Sequence, residues 1–329
     1  MLRTAVIGAG SLGSQHARIH ATLAAEGASQ FVSVCDLNEE TARSVSKERN
    51  TNWTTNWRDL IGHIDAASLA VPTEAHCEIA CGLLDAGIHV LVEKPISRTL
   101  DEADQMIEAA ARGNAVLQVG HLERFNPAMV ALRPHVRKPV YFEIHRVGSF
   151  TARSLDIDVV LDLMIHDLDI VQWLVGEDVA VTNIHAVGIA ILTDKVDAAN
   201  ARLEFSSGAV ANITASRVGT EKIRKMRFFQ PHDYIAIDYT TKRASVSSLD
   251  RPTASGAWPG VHVKHLDIVD IEPLRAEIVL FLDSARTGAP PAVSGLEGRN
   301  ALSLALRTLD RIREHAEHPG VSEFTANVR

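Results

Sequence analysis

The sequence predicts an α/β protein in two parts: an N-terminal doubly wound parallel sheet, then a C-terminal α+β domain on a mostly antiparallel sheet. Three observations lead there. Up to about residue 120, short apolar runs alternate with helical stretches, as in parallel strands joined by crossover helices. Beyond it the runs lengthen, alternate apolar with polar residues, and follow one another through turn residues. The chain of 329 residues is also long enough for two hydrophobic cores.

The elements follow in order. "RTAVIGAG" (Arg3–Gly10) is an apolar strand ending in glycines, followed by a helix from about Leu12 to Ala25. "FVSVCD" (Phe31–Asp36) is a second strand, and about Asn38–Glu48 a helix. "AASLAV" (Ala66–Val71), helix Glu74–Ala86, "HVLVEKP" (His89–Pro95), helix Leu100–Arg112 and "VLQVGH" (Val116–His121) complete five strands. These residues, 1–120, form the first domain, and 121–329 the second. A helix at 160–174 is followed by alternating runs at 181–191, 198–218 and 225–248, with Ser206–Gly208 reading as a hairpin turn. Residues 250–265 are turn-rich and expected to be an exposed loop. The final helix, 296–316, is left free to pack on either domain.

Composition excludes several classes. With 46% hydrophobic and 22% charged residues the chain is ordinary for a soluble protein, and its net charge of −8 argues against nucleic-acid or anionic-membrane partners. No apolar run is long enough to span a bilayer, and the N-terminus has no signal-peptide pattern. Cys35, Cys77 and Cys81 form no paired framework, so a reduced cytoplasmic setting is expected. Cys77 and Cys81 read as plain core residues. His16 and His20 lack metal-site context and read as surface or packing residues.

Gly8-Ala9-Gly10-Ser11-Leu12-Gly13 is a GxGxxG between a strand and a helix. The first glycine permits the tight turn, the second lets backbone approach a pyrophosphate at the helix N-terminus, and the third lets helix and strand pack closely. Asp36 ends the second strand, about 20 residues on, where a carboxylate accepts ribose hydroxyls and repels a 2′-phosphate. Leu37 and the residues up to Glu40 supply no cation for that phosphate. These residues predict a Rossmann domain that binds NAD rather than NADP. Ligands in such sheets lie beyond the strand C-termini. Val71, Pro72, Thr73 and His76 after the third strand, and Glu93 and Lys94 after the fourth, are therefore expected at the cofactor, with the Lys94 ammonium placed to polarise a substrate hydroxyl or carbonyl.

The helix "VLDLMIHDLDIVQWL" is mostly apolar, yet Asp162, His166 and Asp169 stand at i, i+4 and i+7 and so share one stripe. Buried charge needs partners, and no Lys or Arg occurs between Arg153 and Lys195. The partner must come from elsewhere in the fold or from a ligand.

Taken together, "AVIGAGSLGSQHA", "VPTEAH", "EKP", "GHLERFNP", "DLMIHDLD" and "PPAVSGLEGRNALSLAL" resemble the glucose–fructose oxidoreductase / inositol dehydrogenase / MocA (Gfo/Idh/MocA) oxidoreductases over nearly the whole chain. The resemblance implies a large open sheet in the second domain, often the oligomer interface, hence a homodimer or homotetramer. It implies hydride transfer between NAD(P) and a hydroxyl-bearing carbon. It also assigns Lys94, Asp162 and His166 to catalysis: His166 as general base, since imidazole titrates near neutrality, Asp162 holding substrate or orienting Lys94, and Asp169 as support.

"GHLERFNP" departs from the commoner "GFNRRF", and with "RVGSFTARSLDIDVVLDLMIHD" it looks most like the nucleotide-sugar branch. Those enzymes oxidise the 3-hydroxyl of UDP-N-acetylglucosamine, or of its uronate, to a ketone that an aminotransferase consumes on the way to lipid A or surface polysaccharide. His121, Arg124, Asn126, Arg146 and Arg153 are then candidate substrate ligands, the arginines suiting phosphate; the competing reading pairs Arg146 and Arg153 with Asp156 and Asp158. Rival functions are an inositol or free-sugar dehydrogenase, a metal site on the Asp162–His166–Asp169 stripe, and a non-catalytic NAD sensor.

Overall fold

A computed structural model describes residues 1–149, 157–249 and 260–318. The chain begins with β1 (Arg3–Ile7), α1 (Ser11–Ala25), β2 (Gln30–Cys35), α2 (Glu39–Arg49), β3 (Asn52–Thr54), β4 (Ala66–Leu69), α3 (His76–Asp85), β5 (His89–Glu93), α4 (Leu100–Arg112) and β6 (Leu117–Gly120). The six strands form one parallel sheet in the order β3-β2-β1-β4-β5-β6. The expected five strands are β1, β2, β4, β5 and β6; β3 went unread because three residues leave no periodicity. Helix starts follow capping chemistry: the Asn38 side chain accepts from Thr41 N–H, and Thr99 from Glu102 N–H.

Next come α5 (Pro127–Leu132), β7 (Tyr141–Ser149), a π turn (Val160–Met164) running into α6 (Ile165–Val175), and β8 (Val181–Ile189), β9 (Ala198–Phe205), β10 (Val210–Gly219), β11 (Ile223–Gln230), β12 (Asp233–Asp238), β13 (Arg243–Leu249) and β14 (Val261–His265). They build an eight-stranded open sheet, β14-β13-β12-β11-β7-β10-β9-β8. Every neighbouring pair is antiparallel except β7 and β10. The hairpin turn at Ser206–Gly208 joins β9 to β10, with Gly208 at φ +84°. The expected loop at 250–265 is corrected in part. Residues 250–259 lie outside the described residues, while Val261–His265 is an exposed edge strand paired to β13. Its alternating valines favour a strand.

The chain ends, as far as it is described, with α7 (Pro273–Thr287) and α8 (Gly295–Ala316). Contacts divide it into two units: Met1–Leu122 with Glu272–Leu302, and Glu123–Ile271 with Ser303 onward. This differs from the expected 1–120 and 121–329. Helix α7, absent from the sequence reading, belongs to the first unit, and α8 is divided at Leu302. Helix α7 packs Leu274, Ile278, Phe281 and Leu282 against Ile19, Leu23, Ala66 and Leu91. Burial of each such large side chain contributes ~1.5–3 kcal/mol.

The same helix carries Glu277 into the interior. Its carboxylate oxygens are buried with no hydrogen-bond partner, while its backbone oxygen accepts from Gln118 Nε2 at 3.3 Å. Burial, reinforced by the Glu93 carboxylate, pushes its pKa well above the usual carboxyl value, so it is held as the neutral acid. An unfolded chain releases that proton above about pH 4.5, so folding takes one up and stability falls as pH rises toward the folded-state pKa. Glu277→Gln is therefore expected to raise the thermal midpoint at about pH 8. The margin should vanish near pH 4.5 in calorimetric scans.

Candidate active site

The first unit carries the residues expected at the cofactor. At the end of β1, Gly8 sits at φ +88°, and a Cβ there would lie 2.4 Å from Ala70 O. A Cβ on Gly13 would lie 1.8 Å from Gly8 O, so α1 meets the strand only with hydrogen there. Gly10, by contrast, faces open space at the N-terminus of α1, whose first turn has no acidic residue and no side-chain cap. Ser11 and Leu12 are exposed beside it. These residues fit a dinucleotide pyrophosphate. Asp36 Oδ2 accepts from Ala9 N–H at 2.7 Å and Oδ1 from Asn38 N–H at 2.8 Å, which holds the carboxylate against the glycine turn. Leu37 is 93% exposed. The sheet order reverses between β1 and β4, where such sheets bind ligands.

Past β4, Val71, Pro72 and Thr73 lead into α3. His76 is buried, with Nε2 3.0 Å from Val71 O and Nδ1 3.1 Å from Pro95 O. Burial lowers its pKa against the opposing pull of these carbonyls, and the ring stands between the turn after β4 and the turn after β5. His76, expected at the cofactor, turns its ring nitrogens to protein carbonyls instead. The Glu93 carboxylate likewise turns to His16 Nε2 at 2.9 Å, beneath Gly120. His16 and His20 are wholly buried, a packing role rather than a surface one. Lys94, the next residue, is half-buried, and His121, one residue past β6, is buried. Cys77 and Cys81 are only half-buried, with sulfurs 3.9 Å apart.

The second unit carries the helix with Asp162 and His166. Its helix starts with a π turn carrying Asp162, continues with His166, and is anchored from the loop after β8. Val159 N–H donates to Val196 O at 2.8 Å, and Val196 N–H to Asp158 Oδ1 at 2.9 Å. A π turn re-aims side chains relative to a regular helix and is frequent at functional sites. Asp162 and His166 are half-buried, Asp167 and Asp169 fully buried.

The cations for the buried acids come from outside the helix. Arg124 binds Asp169 through two bonds, Nε–Oδ2 at 2.8 Å and Nη2–Oδ1 at 2.7 Å. Arg146 binds Asp167 the same way at 2.7 and 2.8 Å, and reaches Glu123 Oε1 through Nη1 at 2.8 Å. Burial pulls the Arg146 pKa down, but Asp167 and Glu123 more than offset it and the net shift is upward. Arg124 and Arg146, expected at substrate, are thus internal anchors of α6. Arg146 pairs with neither Asp158 nor, among the described residues, any acid of the loop before that helix. Arg153 and Asp156 lie outside the described residues. Asn126 caps α5, accepting from Ala128 N–H at 3.1 Å. Among the described residues no three His, Cys, Asp or Glu side chains are grouped to hold a metal.

Sequence reasoning missed Glu123, Arg224 and two aromatic faces: Trp173 under Arg124 and Arg133, and Tyr239 under Arg146. Arg224 stands one position before the alternating run read from Lys225. It shares the inward face with Met226 and Phe228, and that phase was the available signal.

Comparison with known proteins bears on both units. Residues 2–121 match the oxidoreductase family with NAD-binding Rossmann fold, and residues 102–229 the GFO/IDH/MocA C-terminal domain. The UDP-N-acetylglucosamine 3-dehydrogenase of Acidithiobacillus ferrooxidans is 38% identical over 93% of this chain and 96% of its own. A solved structure of that enzyme superposes with TM-score 0.89, covering 96% of this chain and 99% of that one. The myo-inositol 2-dehydrogenase of Thermotoga maritima is more distant, 25% identical over 95% of this chain and 97% of its own. A levoglucosan dehydrogenase in complex with NADH and levoglucosan, 18% identical with TM-score 0.83 over 95% of this chain and 97% of that one, shares the fold. The chain belongs to the GFO/IDH/MocA family of NAD-binding oxidoreductases.

Proposed function

We propose that this oxidoreductase oxidises the 3-hydroxyl of UDP-N-acetylglucosamine, or of a closely related UDP-sugar, to the 3-keto sugar. The observation that carries the reading is the likeness to the Acidithiobacillus ferrooxidans enzyme, which runs through both units and so includes the substrate half. NAD supplies the hydride acceptor when bound. Gly8, Gly10, Ser11, Leu12 and Gly13 hold its pyrophosphate and Asp36 its ribose, with Leu37, Val71, Pro72, Thr73 and Glu93 lining the strand ends. His166 takes the hydroxyl proton as general base, Lys94 polarises the carbinol oxygen, and Asp162 orients the sugar. His76 supports the two turns, while Arg124, Arg146 and Asn126 support the substrate half; His121 and Arg153 remain substrate candidates.

The keto sugar is a substrate for a glutamate-dependent aminotransferase. Three free cysteines and a need for the NAD pool suit the cytoplasm. A homodimer or homotetramer would cover the open sheet face, where Tyr141, Phe229 and Tyr234 cluster at 5.0–6.0 Å.

The test incubates the protein with NAD, UDP-N-acetylglucosamine, an aminotransferase and glutamate, following NADH absorbance and the nucleotide sugar by mass spectrometry. NADH with an amino-sugar product is expected. Turnover of inositol or free hexoses instead, without the nucleotide sugar, overturns the substrate.

A further inference from the structure

The second unit holds one arginine whose surroundings differ from those of Arg124 and Arg146. Arg224 lies on β11 directly opposite Arg146 of β7, on the inward face of the sheet. Like charges placed opposite each other across two strands destabilise the pair. Arg146 is answered by two carboxylates at hydrogen-bond distance. For Arg224 the ion pair is long: Nη1 stands 3.8 Å from Glu123 Oε1, an oxygen already accepting from Arg146. Among the described residues its guanidinium donates no hydrogen bond to protein. Its side chain is nevertheless only 37% exposed.

Burial, and then the Arg146 charge, pull its pKa down, while Glu123, Asp167 and Asp162 pull it up. Guanidinium stays protonated at any physiological pH, so this is a cation held in a place that disfavours charge, with unused planar donors. Asp162, on the π turn of the catalytic helix, lies within its electrostatic reach. A group so placed lacks the partner its neighbours have, and an oxyanion arriving with the ligand would supply it.

We propose that Arg224 is a substrate-binding residue that donates to the diphosphate of the nucleotide sugar, beside the helix that carries Asp162 and His166. The inference rests on the nucleotide-sugar reading above. It reassigns the phosphate-binding role from Arg146, whose donors are taken internally, to its cross-strand neighbour.

The experiment compares wild type, Arg224→Gln and Arg224→Lys. UDP binding is read by calorimetry, KM and kcat with UDP-N-acetylglucosamine and with its uronate, NADH affinity by fluorescence, and the thermal midpoint by scanning. Charge-assisted hydrogen bonds of this kind correspond to roughly 10- to 100-fold in affinity. Arg224→Gln is expected to weaken UDP and raise both KM values by that factor, with kcat and NADH affinity little changed. The lysine variant should recover part of the loss, keeping charge without the fork. The thermal midpoint of Arg224→Gln should hold or rise, because the opposition to Arg146 is removed. UDP affinity within twofold of wild type, a loss confined to the uronate, or a joint fall of kcat and thermal midpoint overturns the proposal. If the wild type itself neither binds UDP nor turns over a UDP-sugar, the nucleotide-sugar reading falls first, and Arg224 with it.

Discussion

Replacing His166 by alanine is expected to lower kcat by about 10²- to 10⁴-fold, the usual contribution of a positioned general base. The nicotinamide-nucleotide affinity should stay unchanged, because the glycine turn and Asp36 proposed to hold the dinucleotide belong to the other unit. Steady-state kinetics and NADH titration check both statements. A variant that keeps more than a tenth of wild-type kcat would remove His166 from the chemistry and leave Lys94 as the sole acid–base group.

Arg146→Met is expected to cost about 3–5 kcal/mol of stability, because it strands Asp167 and Glu123 together in the interior. Arg224, at 3.8 Å from Glu123, is too far to replace a bidentate partner. The companion change matters as much as the first. Arg146→Met with Asp167→Leu removes the buried pair together and should recover most of the loss, since apolar substitutes of similar volume often match a buried ion pair. Denaturant titration of the single and double variants measures the difference. Equal loss in both would mean that the stabilisation comes from Tyr239, which stacks on Arg146 at 5.5 Å, and not from the carboxylates.

The cofactor half was legible because its requirements are local in sequence. Gly8 and Gly13 are demanded by contacts of 2.4 and 1.8 Å that any longer side chain would violate, and such demands leave a fixed spacing. Asp36 follows from strand length. The polar stripe on α6 and the π turn before it was also visible, as was its need for distant cations. What the helix could not disclose was which arginines answer it. Arg124 and Arg146 are 45 and 21 residues away from their partners, and that pairing is a property of the sheet, not of any window. An arginine beside a predicted phosphate site looks the same in sequence whether its fork holds a ligand or a carboxylate. The missed elements share a cause too. The inward face of β7 runs Phe142, Ile144, Arg146, so its alternation breaks at the charge. Helix α7 hides a buried Glu277 among its apolar positions, which blurs the 3.6-residue period.

The assignment of α7 to the first unit has a consequence for how the protein is made. Residues 123–271 are an insertion in the cofactor-binding unit, and the second unit in turn needs the part of α8 from Ser303 on. A ribosome moving at about 5–20 residues per second delivers α7 on the order of ten seconds after β6. Throughout that interval Ile19, Leu23, Ala66 and Leu91 have no Leu274, Ile278 or Phe281 to meet. Neither unit can close vectorially from its N-terminus. Both finish only when the last long helix has been synthesised, so a nascent or C-terminally truncated chain exposes two open cores at once.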